Sequence, residues 1–392
     1  MIKQIKQYDE LEEFSNSSSL QSLQILKVTL NGKDIGDEGA SILGSALANC
    51  TNLSNLTIWL TDNEIGDEGA SALSSGLANC TNLTNLILIL NKNEIGSVGV
   101  SGLSSALSTC IHLTYLTLNL GGNQIGDEDI SGLCQALANC TNLTNLTMHL
   151  HQIQIGAIGL SGLDYAFKNC TKITNLRLNL SNNYIDAIGV SGLGSALANC
   201  TNLINLILEL SGNKIGNECG SELCSALANC TNLKNLTLLL SYNQIYKIGS
   251  LHLGLASENY TNLTNLTLEL NGNEIGDEGV SDLCLFLQNF TNLSNLTLQL
   301  HNLISDKGAS VLGSALTSCT NLITLTLNLS WNSICDQGVL DLGFALTNCT
   351  NLSNLEIQIY FNQINEPLKV KSKYLRLKRL VVFQICIQYR KK

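Results

Sequence analysis

The chain has 392 residues, with 31 acidic against 21 basic side chains and a formal net charge of −10. An acidic balance argues against nucleic-acid binding by the body of the chain, because phosphate contacts need clustered Lys and Arg. No stretch approaches the roughly eighteen consecutive apolar residues of a membrane span, so none is expected. A chain of this length ordinarily suggests two or three domains, but the repeats below predict one continuous core.

Residues 1–22 are read as an N-terminal cap. Met1–Phe14 carries Lys3, Lys6, Asp9, Glu10, Glu12 and Glu13 and has no apolar run of signal-peptide length. Leu11 and Phe14 predict a helix that closes the first strand.

From 23 to 366 the chain repeats. Leu53 recurs as Leu83, Leu113, Leu143, Ile173, Leu203, Leu233, Leu263 and Leu293, a period of thirty residues. One residue is dropped near His301, and the pattern resumes at Leu322 and Leu352. Self-similarity at such a period is the mark of a solenoid. Within a repeat, Leu56, Ile58 and Leu60 alternate with Thr57, Trp59 and Thr61, which predicts a strand with one buried face. Ala70, Leu73 and Leu77 then form the stripe of a helix. Asp67 is positioned to cap that helix, and Glu68 suits the positive end of its dipole. A column of small residues (Ala46, Ala106, Ala136, Ala166, Ala196, Ala226) marks where neighbouring helices crowd.

No single repeat covers its own apolar stripe, so repeats must stack. Parallel strands sit about 4.8 Å apart, whereas helix axes need roughly 8–10 Å. The mismatch predicts a horseshoe: an α/β solenoid of about thirteen parallel strands on the concave face, with helices on the convex face. Asn63 recurs where each strand turns, as Asn93, Asn123, Asn183, Asn213, Asn243, Asn273, Asn302, Asn332 and Asn362. An amide donates and accepts, so this column is expected to satisfy backbone groups of the turn. Lys33 and Ile153 interrupt it and predict looser turns there.

The run L-x-x-L-x-L…N-x-I-G-D-E-G-A/V-x-x-L-x-x-x-L resembles the leucine-rich repeats of the ribonuclease-inhibitor type over about residues 15–365. That class includes the sensor arms of NOD-like receptors and the Ran GTPase-activating protein. The wording C-T-N-L-T-N-L-T-L-x-L is similar to repeat proteins of ciliate protists. The family's usual repeat is shorter, and the extra inward step (Leu56, Ile58, Leu60) implies a longer strand.

Residues 367–392 are read as a basic C-terminal cap or partial repeat. Pro367 fits the first turn of a helix, with Val370, Tyr374 and Leu377 as its stripe. Leu380, Phe383, Ile385 and Ile387 repeat the inward spacing of a strand. Nine of the 21 basic side chains lie in the last 25 residues, which hold no acid. This end, 369–392, is a possible contact for an anionic surface, and a solvated cap rim is the plainer reading.

Fifteen cysteines invite a metal or disulfide reading. Nine stand in one column (Cys50, Cys80, Cys110, Cys140, Cys170, Cys200, Cys230, Cys319, Cys349), where Tyr260 and Phe290 substitute, so the column calls for a buried apolar group. Parallel side chains are poor geometry for S–S bonds, and no C-x-x-C pair supports zinc. Cys219, Cys224 and Cys230 do not make a convincing metal site, and neither do His149 and His151, whose strand neighbours are Asn119, Gly121, Asn179 and Ser181. Reduced core thiols fit a cytoplasmic setting. So do the N-x-S/T sequons Asn52-Leu-Ser54, Asn55-Leu-Thr57 and Asn82-Leu-Thr84, where a glycan would meet a stacked ladder. A cytoskeletal or ciliary association is compatible with the ciliate resemblance.

No nucleophile–base constellation and no phosphate-binding glycine loop is found, so no catalytic residue, cofactor or metal is assigned. The expected function is a non-enzymatic scaffold that binds a protein partner through the concave face. Trp59, Ile87 and Ile89 are expected as an exposed apolar cluster. His149, Arg177 close to Glu209, and Leu239 are expected mid-sheet, with Tyr242, Trp331, Tyr360 and Phe361 at the strand-exit rim. The alternatives are a small-GTPase regulator, by resemblance to the Ran GTPase-activating protein with Arg177 as the contact, and a membrane-peripheral adaptor using the basic end.

Overall fold

Alternation at period two and an apolar stripe at helical spacing each produce the element they predict, and the two elements bury each other. Leu56, Ile58 and Leu60 are fully buried, as are Ala70, Leu73 and Leu77 on the following helix. The computed structural model describes residues 5–17, 19–217, 223, 226–246, 262–288, 290–374 and 382–387. The chain divides into two compact units, Met1–Leu203 and Ile204–Lys392.

The first unit runs β1 (Ile5–Tyr8), α1 (Leu11–Ser15), β2 (Ile25–Thr29), α2 (Gly36–Leu47), β3 (Asn55–Trp59), α3 (Asp67–Leu77) and β4 (Asn85–Ile89). It continues with α4 (Ser97–Thr109), β5 (Tyr115–Asn119), α5 (Asp127–Leu137), β6 (Asn145–His149), α6 (Ala157–Asn169), β7 (Asn175–Asn179) and α7 (Ala187–Leu197). Its strands are parallel and paired in chain order, in a register of one repeat, so that Leu56 lies beside Leu86 and Leu116. The second unit holds β8 (Asn205–Glu209), β9 (Asn235–Leu239), β10 (Asn265–Glu269), α8 (Gly276–Leu287), β11 (Asn295–Gln299) and α9 (Asp306–Leu316). After these come β12 (Thr324–Asn328), α10 (Asp336–Leu346), β13 (Asn354–Gln358), α11 (Pro367–Tyr374) and β14 (Val382–Cys386). Its strands are likewise parallel and in chain order. The fold is therefore an α/β repeat solenoid.

Fourteen strands are described where about thirteen were expected. The extra one is β1, which carries no leucine alternation and buries only Tyr8, so it joins β2 through its backbone. The last predicted strand forms as β14, with Phe383 beside Leu355 and Ile385 beside Ile357. Leu377 and Leu380 lie outside the described residues, as do Cys219, Cys224 and Tyr260.

The asparagine column behaves as a backbone substitute. Asn93 Oδ1 accepts from the N–H groups of Asn63 and Ile65 at 3.1 Å, and its Nδ2 donates to the carbonyls of Leu60 and Leu90 at 2.9 Å. The same amide thus closes its own turn and ties it to the previous repeat. At the interruptions, Lys33 and Ile153 still give their backbone N–H to Asn63 and Asn183. The dropped residue near His301 leaves a trace in the column: Asn302 Oδ1 is buried with no partner, although Asn302 Nδ2 still donates to Leu270 O at 3.1 Å.

The helix caps differ from expectation. Asp67 does not cap its own helix. Its Oδ1 accepts from Gly96 N at 2.8 Å and Gly99 N at 2.7 Å, at the start of α4 in the next repeat. Asp37 does the same for α3, Asp127 for α6 and Asp277 for α9. Stacking brings the carboxylate of one repeat beside the free N–H groups of the next helix, nearer than it lies to its own. This explains the glycine at the capped position of the next repeat, as at Gly69, Gly99, Gly159, Gly308 and Gly338. A Cβ on Gly69 would stand 2.5 Å from Asp37 Oδ1. Where Ser97 replaces the aspartate, the following helix carries Asp129 in that glycine's place and caps itself, through Gly126 N at 2.9 Å. Where Ala157 replaces it, Asp186 caps α7 from its own N-terminus, accepting from Gly189 N at 3.0 Å.

The cysteine column is buried and its described members are free thiols. Cys80 Sγ faces the carbonyls of Leu47 and Cys50, and burial pushes Cys80 and Cys140 up to about 12.

Candidate docking surface on the strands

Alternate residues of every strand that do not enter the core form a half-buried outer face. In the first unit that face places Trp59 beside Ile89 and Thr57 beside Ile87. The expected apolar cluster is thus brought together. Trp59 is 38% exposed and its ring carries Lys27 Nζ 5.0 Å from the centroid, a cation–π contact that the sequence reading had not paired. Ile87 and Ile89 are half-buried. His149 sits between Asn119 and Asn179, and Arg177 is exposed beside Thr147. The described strands of this unit present Lys27 and Arg177 on the outer face and no carboxylate.

In the second unit the corresponding row reads Glu209, Leu239, Glu269, Gln299 across neighbouring strands. Gln299 Nε2 donates to Glu269 Oε1 at 2.7 Å, and Asn271 Nδ2 donates to Gln299 Oε1 at 3.1 Å. Burial, and secondarily Glu209, raise the Glu269 carboxyl above the usual carboxylate range. On β13, Gln358 Nε2 donates to Glu356 Oε1 at 2.8 Å. The described strands here present three carboxylates, Glu209, Glu269 and Glu356, and no Lys or Arg. Near the strand starts, Asn235, Asn265 and Asn295 donate in series to Asn205, Asn235 and Asn265, an amide ladder legible only as a recurring Asn two residues before the Thr column.

Tyr242, Trp331 and Phe361 occupy one recurring position just past the strand, where the backbone is left-handed, with φ of 55°, 59° and 56°. The first unit fills that position with Gly32, Asp62, Lys92, Gly122, Gln152 and Asn182, and the second also places Gly212 and Gly272 there. Large aromatic residues are rare at positive φ, which costs on the order of 1–3 kcal/mol each. All three rings are half or more exposed, at 67%, 54% and 50%. Trp331 stacks on Phe361 at 3.9 Å between centroids with 23° between planes, worth about 0.5–1.5 kcal/mol. His301 tilts against the same indole at 5.7 Å, and burial lowers its pKa. The Tyr242 ring lies where a side chain on Gly272 would be, and only glycine fits beneath it. Tyr360 is half-buried next to Phe361. His301 was missed by the sequence reading, although it stands thirty residues after Asn271, whose Oδ1 accepts from its N–H at 2.9 Å; the dropped residue follows it.

Arg177 and Glu209, expected close together, lie in different units and on the outer face of each. Of the basic end, Lys369 pairs with Glu366 at 2.9 Å, and 375–381 and 388–392 lie outside the described residues. Among the described residues no group of three or more His, Cys, Asp and Glu is arranged to hold a metal ion, and no helix is long and apolar enough to cross a membrane.

A family model described as a leucine-rich repeat matches residues 19–44, 52–74, 110–134 and 262–284. No curated protein matches the chain.

Proposed function

We propose that this chain, four segments of which match a leucine-rich repeat, is a non-enzymatic scaffold that binds a protein partner through its outer strand face, the concave side of the expected horseshoe. One observation carries this reading. The buried strand columns of the repeats keep to Leu, Ile, Val and Met, whereas the outer strand face and its rim vary in chemical type and expose Trp59, Tyr242, Trp331 and Phe361. Exposed Trp and Tyr with apolar neighbours are what binding hot spots are made of. Residues without a packing role are free to differ from repeat to repeat, and a recognition surface uses that freedom.

The test is a triple variant, Trp59→Ser, Ile89→Ser and Trp331→Ser, compared with the parent by crosslinking in cells and mass spectrometry. Loss of the crosslinked partners with an unchanged circular dichroism spectrum is the expected result, and retention of the same partners refutes the reading.

The proposed location is the cytoplasm. Two features support it: the free thiols of the core, and the first-position sequon amides, which are already engaged. Asn52, Asn82 and Asn262 donate Nδ2 to the carbonyls of Gln21, Thr51 and Thr231 at 2.8, 3.0 and 2.8 Å. A glycan on that nitrogen replaces one of its two N–H hydrogens and crowds an inter-repeat bond. In the same reading, residues 1–22 and 367–392 act as caps of the array.

A further inference from the structure

The rim of the second unit places large rings where folding favours glycine, asparagine or aspartate. The first unit shows that the repeat closes with small or polar residues at that position. Tyr242, Trp331 and Phe361 therefore bring exposed apolar surface that the turn itself does not require. Trp331 is flanked by Phe361 on one side and His301 on the other. Its faces are thereby occupied, and the ring edges are left to form a ridge along the rim.

The strand face that adjoins this ridge has a single sign of charge. Glu209, Glu269 and Glu356 face outward on the described strands, interleaved with Gln299 and Gln358 and with no cation among them. Phe361 follows Glu356 by five residues and stands in the turn after β13, so the two are separated by at most about 16 Å. An extended peptide spans that distance in a few residues. Arg and Lys suit both halves of such a surface, because their aliphatic stems cover apolar area while the charged head reaches a carboxylate.

We propose that the rim and outer strand face of the second unit dock an extended cationic segment of a partner protein, with arginine or lysine stems against Trp331 and Phe361 and their charged heads at Glu356 and Glu269. The inference rests on the docking reading above and adds the chemistry of the partner. A cation also relieves the partly desolvated carboxylate of Glu269, which Glu209 already opposes. Single-stranded nucleic acid, the other common occupant of exposed ring ladders, is disfavoured by the same three carboxylates.

The chain contains two tryptophans, so Trp59→Phe leaves Trp331 as the sole indole reporter. Its emission is titrated with three probes of equal length: an alternating Arg–Ser peptide, an alternating Glu–Ser peptide and oligothymidylate. The Arg–Ser peptide is expected to give a saturable change that weakens with salt, and the other two none. With labelled Arg–Ser peptide read by anisotropy, Trp331→Ala and the pair Glu269→Gln with Glu356→Gln each weaken binding by about tenfold or more. The matched pair Glu38→Gln with Glu68→Gln, which removes equal charge from exposed helix positions of the first unit, changes it by less than about twofold. The proposal is overturned by no saturable change, by equal losses in the two charge pairs, or by preference for the acidic peptide or the oligonucleotide. If the cationic peptide fails while the triple variant still loses its cellular partners, the docking reading stands and this chemistry falls; if both fail, both fall.

Discussion

At the scale of single residues, the repeat is held by side chains that stand in for backbone. Asn93 satisfies four backbone groups from two repeats. Asn93→Ala is expected to cost about 2–4 kcal/mol, because several buried groups lose their partner together. Hydrogen exchange should report the loss locally, as faster exchange at the amides of Asn63 and Ile65, since repeat arrays open in parts. Glu269 works in the opposite direction. Its raised carboxyl means that the folded state holds the proton more tightly than the unfolded chain does. Its contribution to stability is therefore fullest below the unfolded value of 4.5 and declines as pH rises through the folded one. Glu269→Gln, which keeps an acceptor for Gln299, is expected to raise Tm at neutral pH and to leave it unchanged near about pH 3. Thermal melts at the two pH values check this.

At the scale of elements, the informative pair is an aspartate and a glycine 32 residues apart. Asp37 caps α3 from the previous repeat, and its Oδ1 leaves no room for a side chain on Gly69. The Ser97 and Asp129 pair shows the alternative solution within the same chain, with Ser97 Oγ donating to Asp129 Oδ2 at 3.0 Å. Asp37→Ser and Gly69→Asp are each expected to destabilise the first unit. Combined, they should recover part of the loss, with a coupling of about 1–2 kcal/mol in a double-mutant cycle of denaturation free energies. Simple additivity would refute this account. The sequence showed an acid at the head of helices such as α3, yet assigned it to the wrong helix. Spacing along the chain cannot tell whether Asp67 lies nearer to the N–H groups of its own helix or to those of α4.

At the scale of the whole molecule, burial of one column after another fixes how the chain reacts with its surroundings. The thiols of Cys80, Cys140 and Cys319 are buried and pushed up to about 12, 12 and 11. They are expected to resist a thiol reagent such as Ellman's until denaturant is added, with Cys335 and Cys386 the more accessible among the described residues. Fast native reaction at Cys80 would contradict the packing. Directed into the endoplasmic reticulum by an added leader, the chain is expected to acquire glycans at sequons such as Asn52 and Asn82 and to become protease-sensitive. Recovery of a glycosylated, fully folded product there would refute the proposed cytoplasmic folding. The sequence by itself determined the solenoid: a leucine every second residue followed by an apolar helical stripe, thirty residues apart, admits no other way to bury both faces. Only the tertiary structure decided which atoms meet between repeats. The helix that each aspartate caps, the seating of Lys27 on Trp59, the place of His301 against Trp331 and the addition of β1 all depend on side chains or backbone twenty or more residues apart. Their encounter is set by stacking geometry, which a one-dimensional period does not contain.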